Sequence, residues 1–147
     1  MPVNIVKLTA MVLIFLTNAA FAVVEISDAT IRLLPPSVPN TSAYFTVTNT
    51  SDQDVSLVGG SADIAEKTEL HNHIMQGEVM RMKKQDAVVI PAGETVKFAP
   101  GGLHMMIFGL KQPLKKEQII PLALITKDGQ QINFSAVVVS PNQHHHH

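Results

Sequence analysis

The sequence contains no cysteine. Exported proteins draw on cysteine for disulfides, so a chain without it must be held together by its core alone. The same absence excludes cysteine-nucleophile catalysis, thiol redox chemistry and zinc-finger sites. It also excludes a blue-copper electron-transfer centre, which needs a thiolate ligand. Charge is scarce too: 11 basic residues stand against 12 acidic ones, a net −1. That balance leaves no electrostatic footprint for nucleic acid. The one long apolar run, Leu8 to Leu16, falls short of the roughly 20 residues that span a bilayer. Helical periodicity of useful length, internal repeats and linkers are missing as well.

The two ends do not read as fold. Residues 1–22, "MPVNIVKLTAMVLIFLTNAAFA", carry one lysine, Lys7, before the apolar run and a small-x-small pattern, Ala20-Phe21-Ala22, at the close. This is the pattern of a secretory signal peptide, so the exported chain is expected to begin near Val23. No cysteine follows the cleavage position, so a lipid anchor of the bacterial lipoprotein kind is not expected. At the other end, His144 to His147 follow "SPNQ" without interspersed acids. They read as a partial purification tag at the end of a tail, residues 141–147. Between the ends, residues 23–140 suffice for one domain around one core.

That domain reads as strands. Ten short β-rich segments run from "VVEISDATIRLL" to "QINFSAVVV", separated by turn clusters such as Asn49-Thr50-Ser51-Asp52, Pro91-Ala92-Gly93, Pro100-Gly101-Gly102 and Lys127-Asp128-Gly129. Short β-branched runs at such spacing predict an all-β, antiparallel sandwich or barrel. A single helical turn near Ala62 to Glu66 is the one local exception considered. Tyr44, Phe45 and Phe134 are expected in the core.

What the chain does have is a confined set of histidines and methionines. Apart from the terminal run, its histidines are His71, His73 and His104; apart from Met1 and Met11, its methionines are Met75, Met80, Met82, Met105 and Met106. All eight lie between positions 71 and 106. Side chains on one strand face recur every second residue, so His71, His73 and Met75 share a face, as do Met80 with Met82 and His104 with Met106. A two-residue turn at Gln76-Gly77 would set His71 opposite Met82 and His73 opposite Met80, with opposed Cβ atoms about 4.5–5.5 Å apart. Pro100-Gly101-Gly102 sets a turn just before His104 and places it at the end of a strand. Met105 falls in parity with Leu103 and Ile107 and is assigned to the core. Met75 and Met80 fit either core packing or ion binding, and an isolated exposed His is ordinarily only a surface residue.

Neutral imidazoles and thioethers are a selective donor set. Thioethers are soft and favour Cu(I). Zinc takes cysteine, histidine or carboxylate, and calcium and magnesium take oxygen. With uncharged ligands, burial disfavours a divalent ion more than a monovalent one.

The spacing His71, ten residues, Met82, twenty-one residues, His104-x-Met106 resembles the signature of the periplasmic copper chaperones of the PCu(A)C type. The words "ELH", "EVMRM", "IPAGETVKFAPGGLHMMIFGL" and "PLKKEQIIPLALI" resemble that family too, as does the opening "DATIRLLPPSVPNTSAYFTVTN". The likeness covers about Asp28 to Val138. It implies a cupredoxin-like, Greek-key β-sandwich that binds one Cu(I) through His71, Met82, His104 and Met106, with His73 outside the set. It further implies a monomeric, periplasmic protein that passes copper toward the CuA centre of a haem-copper cytochrome c oxidase, alongside a Sco-type protein. Two other readings compete: an exported β-sandwich interaction module whose His/Met patch is incidental, and a copper-dependent redox enzyme. The sequence shows no nucleophile or proton-transfer constellation that would support an enzyme.

Overall fold

The computed structural model describes residues 9–14 and 23–141. Most of the expected leader and the terminal histidines lie outside them. Among the described residues no helix is long and apolar enough to cross a membrane.

The ten expected segments are ten strands: β1 (Val24–Arg32), β2 (Thr41–Asn49), β3 (Val55–Ser61), β4 (Ala65–Gln76), β5 (Val79–Lys84), β6 (Val88–Ile90), β7 (Thr95–Phe98), β8 (His104–Leu110), β9 (Ile119–Thr126) and β10 (Gln131–Val139). They form one hydrogen-bonded path, β5-β4-β8-β2-β1-β10-β9-β3-β6, with β7 paired to β2. All pairings are antiparallel except β1 with β10, which runs parallel and joins the two halves. The helical turn considered near Ala62 is a bend instead: Ala65 N–H donates to the Ala62 carbonyl at 3.2 Å and β4 starts there.

The path folds back on itself, bringing β3 against β4. The core between the halves holds Ile31, Phe45, Val47, Leu57, Leu70, Phe98, Met105, Ile107 and Leu124, all essentially without solvent contact. Phe45 stacks on Phe98 with ring centroids 4.6 Å apart and meets Phe134 edge-on at 5.1 Å. Strand alternation allows only one of two consecutive residues to reach this core. Phe45 does; Tyr44, expected there too, points to the other face of β2. The buried Asn49 closes the β2–β3 turn. Its amide donates to the Gln53 and Ile90 carbonyls at 2.7 and 3.0 Å and its oxygen accepts from the Ser51 N–H and hydroxyl.

The halves approach closely at Gly60 of β3. A Cβ there would meet the Ala123 carbonyl oxygen and the Met105 Cε, each at 2.7 Å. The carbonyl belongs to a paired strand and cannot retreat. Gly59, its neighbour, has open space. Gly60→Ala is therefore expected to destabilise the domain by roughly 1–3 kcal/mol, while Gly59→Ala stays close to neutral. Urea unfolding of both variants checks this, and equal effects would mean that β3 does not press on β8.

A candidate metal centre on the outer face of β4, β5 and β8

β4 and β8 pair with His71 directly opposite His104, Leu70 opposite Met105 and Glu69 opposite Met106. The alternation sends Leu70 and Met105 into the core. It sends Glu69, His71, His104 and Met106 to the outer face, which β2 extends with Ser42, paired to Met106. Met105 is a core residue, as its parity implied. Gly101, at φ 84°, makes the tight turn that the sequence marks before β8, and His104 is the first residue of that strand.

The β4–β5 hairpin departs from the expected register. Pairs run His71 with Lys84, His73 with Met82 and Met75 with Met80, not His71 with Met82 and His73 with Met80. The turn is Gly77-Glu78 rather than Gln76-Gly77. Only glycine takes a positive φ at the first central position of such a turn without steric cost, and Gly77 has φ 65°. The shift is two residues, so parity survives: His71, His73, Met75, Met80 and Met82 still share one face. Met82 lies directly across from His73 and diagonally from His71.

The rings gather closely. His104 lies 5.9 Å from His71 and 5.0 Å from His73, centroid to centroid. His73, outside the set implied by the resemblance, thus stands nearer to His104 than His71 does. Tyr44 and Phe108 border the group, 6.5 Å from His104 and 6.0 Å from His71. His104 is buried and Met106 nearly so, whereas Met82 remains half exposed.

Each of the two opposed histidines has one nitrogen fixed and one free. His104 Nδ1 pairs with the Gly102 carbonyl at 2.9 Å. A carbonyl only accepts, so Nδ1 carries the proton and Nε2 is left as an acceptor. His71 Nε2 lies 2.8 Å from the Glu69 carboxylate, which likewise leaves Nδ1 as the acceptor. His104 Nε2, His71 Nδ1 and His73 Nδ1 are all buried without a hydrogen-bond partner. Buried polar atoms are seldom left so, and an unpartnered imidazole lone pair is a metal donor. The outer hydrogen bonds to Glu69 and Gly102 are of the kind that orient metal-binding histidines. Met106 is oriented as well, since the Ser42 hydroxyl donates to its Sδ at 3.2 Å.

The donor chemistry suits a soft ion. Among the described residues no three His, Asp or Glu side chains converge on a common metal position. The face does bring thioether sulfur beside imidazole, and the hard and borderline ions do not seek thioether. The sequence marked His71, Met82, His104 and Met106; the structure brings all four to one face. Sequence reading did not single out Glu69, Ser42 or the Gly102 carbonyl. Glu69 was legible in principle, two residues before His71 on the same face. Ser42, 64 residues from Met106, was not.

Burial holds the His104 pKa below its ordinary value; the Gly102 hydrogen bond opposes this, and the neighbouring His73 and His71 reinforce it. The His71 hydrogen bond, helped by Lys67, lowers the Glu69 carboxyl. Both shifts favour a neutral His104 and a charged Glu69 at pH 7. The unfolded chain protonates His104 near pH 6.5 and the folded chain only at lower pH, so stability declines as pH falls through that window. The urea midpoint of the metal-free protein should drop between about pH 7 and pH 5, and His104→Leu should flatten part of that slope. Equal slopes in both proteins would exclude His104 as the titrating group.

Residues 24–138 match the family described as putative lipoprotein LpqE-like. A putative lipoprotein of Leifsonia xyli subsp. xyli is 33% identical over 107 residues, which cover 72% of this chain and 63% of the relative. The chain thus spans a little over three fifths of that relative's length. The solution structure of CuI-DR1885 from Deinococcus radiodurans is 35% identical and superposes with a TM-score of 0.62, covering 82% of this chain and 79% of that one. The copper-bound PCuAC domain from PmoF2 has a TM-score of 0.68 at 20% identity, covering 82% and 97%. At that identity the likeness is one of fold, and it bears out the cupredoxin-like β-sandwich.

Proposed function

The chain belongs to the LpqE-like family, and we propose that it is an exported metallochaperone that binds one Cu(I) tightly and carries it for delivery to copper centres of respiratory haem-copper oxidases. The observation that carries this reading is the set of unpartnered, buried imidazole nitrogens on the same outer face as the side chains of Met82 and Met106. His71 through Nδ1, His104 through Nε2, and the sulfurs of Met82 and Met106 are the proposed ligands. The Cu(I) form of a protein 35% identical to this one supports the choice of ion. Copper on this reading is cargo, and the site supplies its ligands. The apolar run, the Ala20-Phe21-Ala22 pattern and the lipoprotein-like family support export, with the periplasm as the proposed compartment. An oxidase subunit and a Sco-type protein are the proposed partners, and the monomer the proposed state.

The site's chemistry fits reversible carriage. Neutral ligands leave Cu(I) with a single uncompensated charge, whereas a divalent ion would bring two into a partly buried place. Neutral histidines bind without releasing protons above about pH 7. Thioethers do not titrate in this range, so the pH dependence of affinity comes from the imidazoles.

Protein lacking His144–His147 should bind one Cu(I) tightly in anaerobic chelator competition, and Zn(II) should not displace it. His71→Ala and His104→Ala should each weaken Cu(I) binding beyond the roughly 10–100-fold that loss of an outer-shell partner costs, and Glu69→Ala should fall within that 10–100-fold range. Met82→Leu and Met106→Leu should weaken binding with the fold retained, since Leu keeps the volume. Met105→Leu should leave affinity unchanged. Loss of affinity in Met105→Leu equal to that in Met106→Leu would overturn the ligand assignment.

Affinity should fall as pH drops below about 6, where protonation of His104 competes with copper. An affinity constant from pH 5 to 8 would exclude the histidines as ligands.

A further inference from the structure

β8 accompanies β4 only as far as the His71–His104 pair. Beyond it, residues 72–76 pair with β5 alone, so the hairpin leaves the sheet as a two-stranded arm. On the arm's site face stand His73, Met75, Met80 and Met82. Met75 and Met80 are directly opposed, and they are 58% and 56% exposed. Neither belongs to the core or packs against it. Isolated two-stranded hairpins gain little stability in water, and edge strands are usually protected with charged residues. Two opposed, half-exposed methionines there contribute nothing to the core.

We propose that His73, Met75 and Met80 form a second, outer Cu(I) site on this arm, through which copper reaches and leaves the inner one. Directly opposed Cβ atoms lie about 4.5–5.5 Å apart, within which two flexible thioethers can grip one ion. His73, two residues from Met75 on the same face, completes a three-donor set with no carboxylate. That chemistry takes Cu(I) or its d¹⁰ analogue Ag(I), and not calcium or magnesium. His73 also touches the inner group: its ring lies 5.0 Å from that of His104, and its Nδ1 is buried without a partner. It therefore sits where an ion changes hands. Transfer is ligand exchange at constant oxidation state. A thioether of Met75 or Met80 releases its lone-pair bond to copper as an inner nitrogen or sulfur forms one. No electron moves, and no proton moves while the histidines are neutral.

This proposal rests on the inner cluster being a Cu(I) site, and the experiment separates the two. Protein lacking His144–His147, with ¹³C-methyl methionine, is titrated anaerobically with Ag(I), then with Cu(I) supplied as its acetonitrile complex. The first equivalent should shift the Met82 and Met106 methyls and the second, weaker one those of Met75 and Met80. Met75→Leu/Met80→Leu should lose the second equivalent, keep the first at unchanged affinity, and load it several-fold more slowly in stopped flow. His104→Ala should weaken the first and leave the Met75 and Met80 shifts in place. A single equivalent, with loading as fast in the double variant as in the parent, would overturn the outer site and leave the carrier reading intact. Absence of any shift at the Met82 and Met106 methyls would overturn the carrier reading itself.

Discussion

The candidate site depends on one register, that of β4 against β8. Leu70 opposite Met105, and Ala43 opposite Met105 on the other side, are all buried to completion or nearly so. A slip of one residue in either pairing would turn these apolar side chains outward and drive His104 or Met106 into the core. Exposing two such side chains costs several kcal/mol. Burying an unpaired imidazole costs more on top of it. The core thus fixes which side chains reach the outer face and which stand opposite one another. The opposition of His71 and His104 is a consequence of hydrophobic packing one layer below, and it needs no metal to form.

Within that frame, a second layer of interactions sets what the donors can accept. Gly102 and Glu69 each hold one ring nitrogen, and so decide which nitrogen stays free on His104 and His71. The two are held in opposite senses: Nε2 is free on His104 and Nδ1 on His71. Strand geometry accounts for the difference. Glu69 lies beside His71 on the same face and reaches its distal nitrogen, while the Gly102 carbonyl lies just before His104 and reaches the proximal one. Burial then keeps His104 neutral. The Glu69 charge, next to Lys67, stays one bond removed from the lone pairs. Soft, uncharged donors therefore face the open position, and the negative charge acts only through His71.

Much of this was legible in the sequence because the side-chain period of a strand is two. All ten strands, the inward turn of Met105, the turn just before His104 and the shared face of the His/Met set follow from alternation and turn residues. The failures have physical causes as well. Tyr44 was placed in the core on hydrophobicity, although its neighbour Phe45 already held that direction. The hairpin pairing was off by two because the turn's first central position needs a positive φ, and so belongs to Gly77 and not to Gln76. The Ser42–Met106 bond joins residues 64 apart, and a contact of that kind depends on sheet order, which local pattern does not encode. The parallel β1–β10 pair is of the same sort.

The gradient of exposure across the face bears on how an ion would leave. His104 and Met106 sit on a central strand, flanked by β4 and β2, and are almost wholly buried. Met82 sits on the edge strand β5 and is half exposed. For the proposed ligand set, an acceptor approaching along the arm would meet the bond to Met82 first and those to His104 and Met106 last. A thioether is a weak, uncharged ligand that departs without taking up a proton. On the proposed assignment, the most accessible position would carry the ligand that is easiest to replace, and the protected positions those that hold. Strand order alone imposes that sequence. On the proposed reading, an ion at this face would be retained against water, which competes poorly for soft metal, and released to a partner that presents sulfur or imidazole along the hairpin.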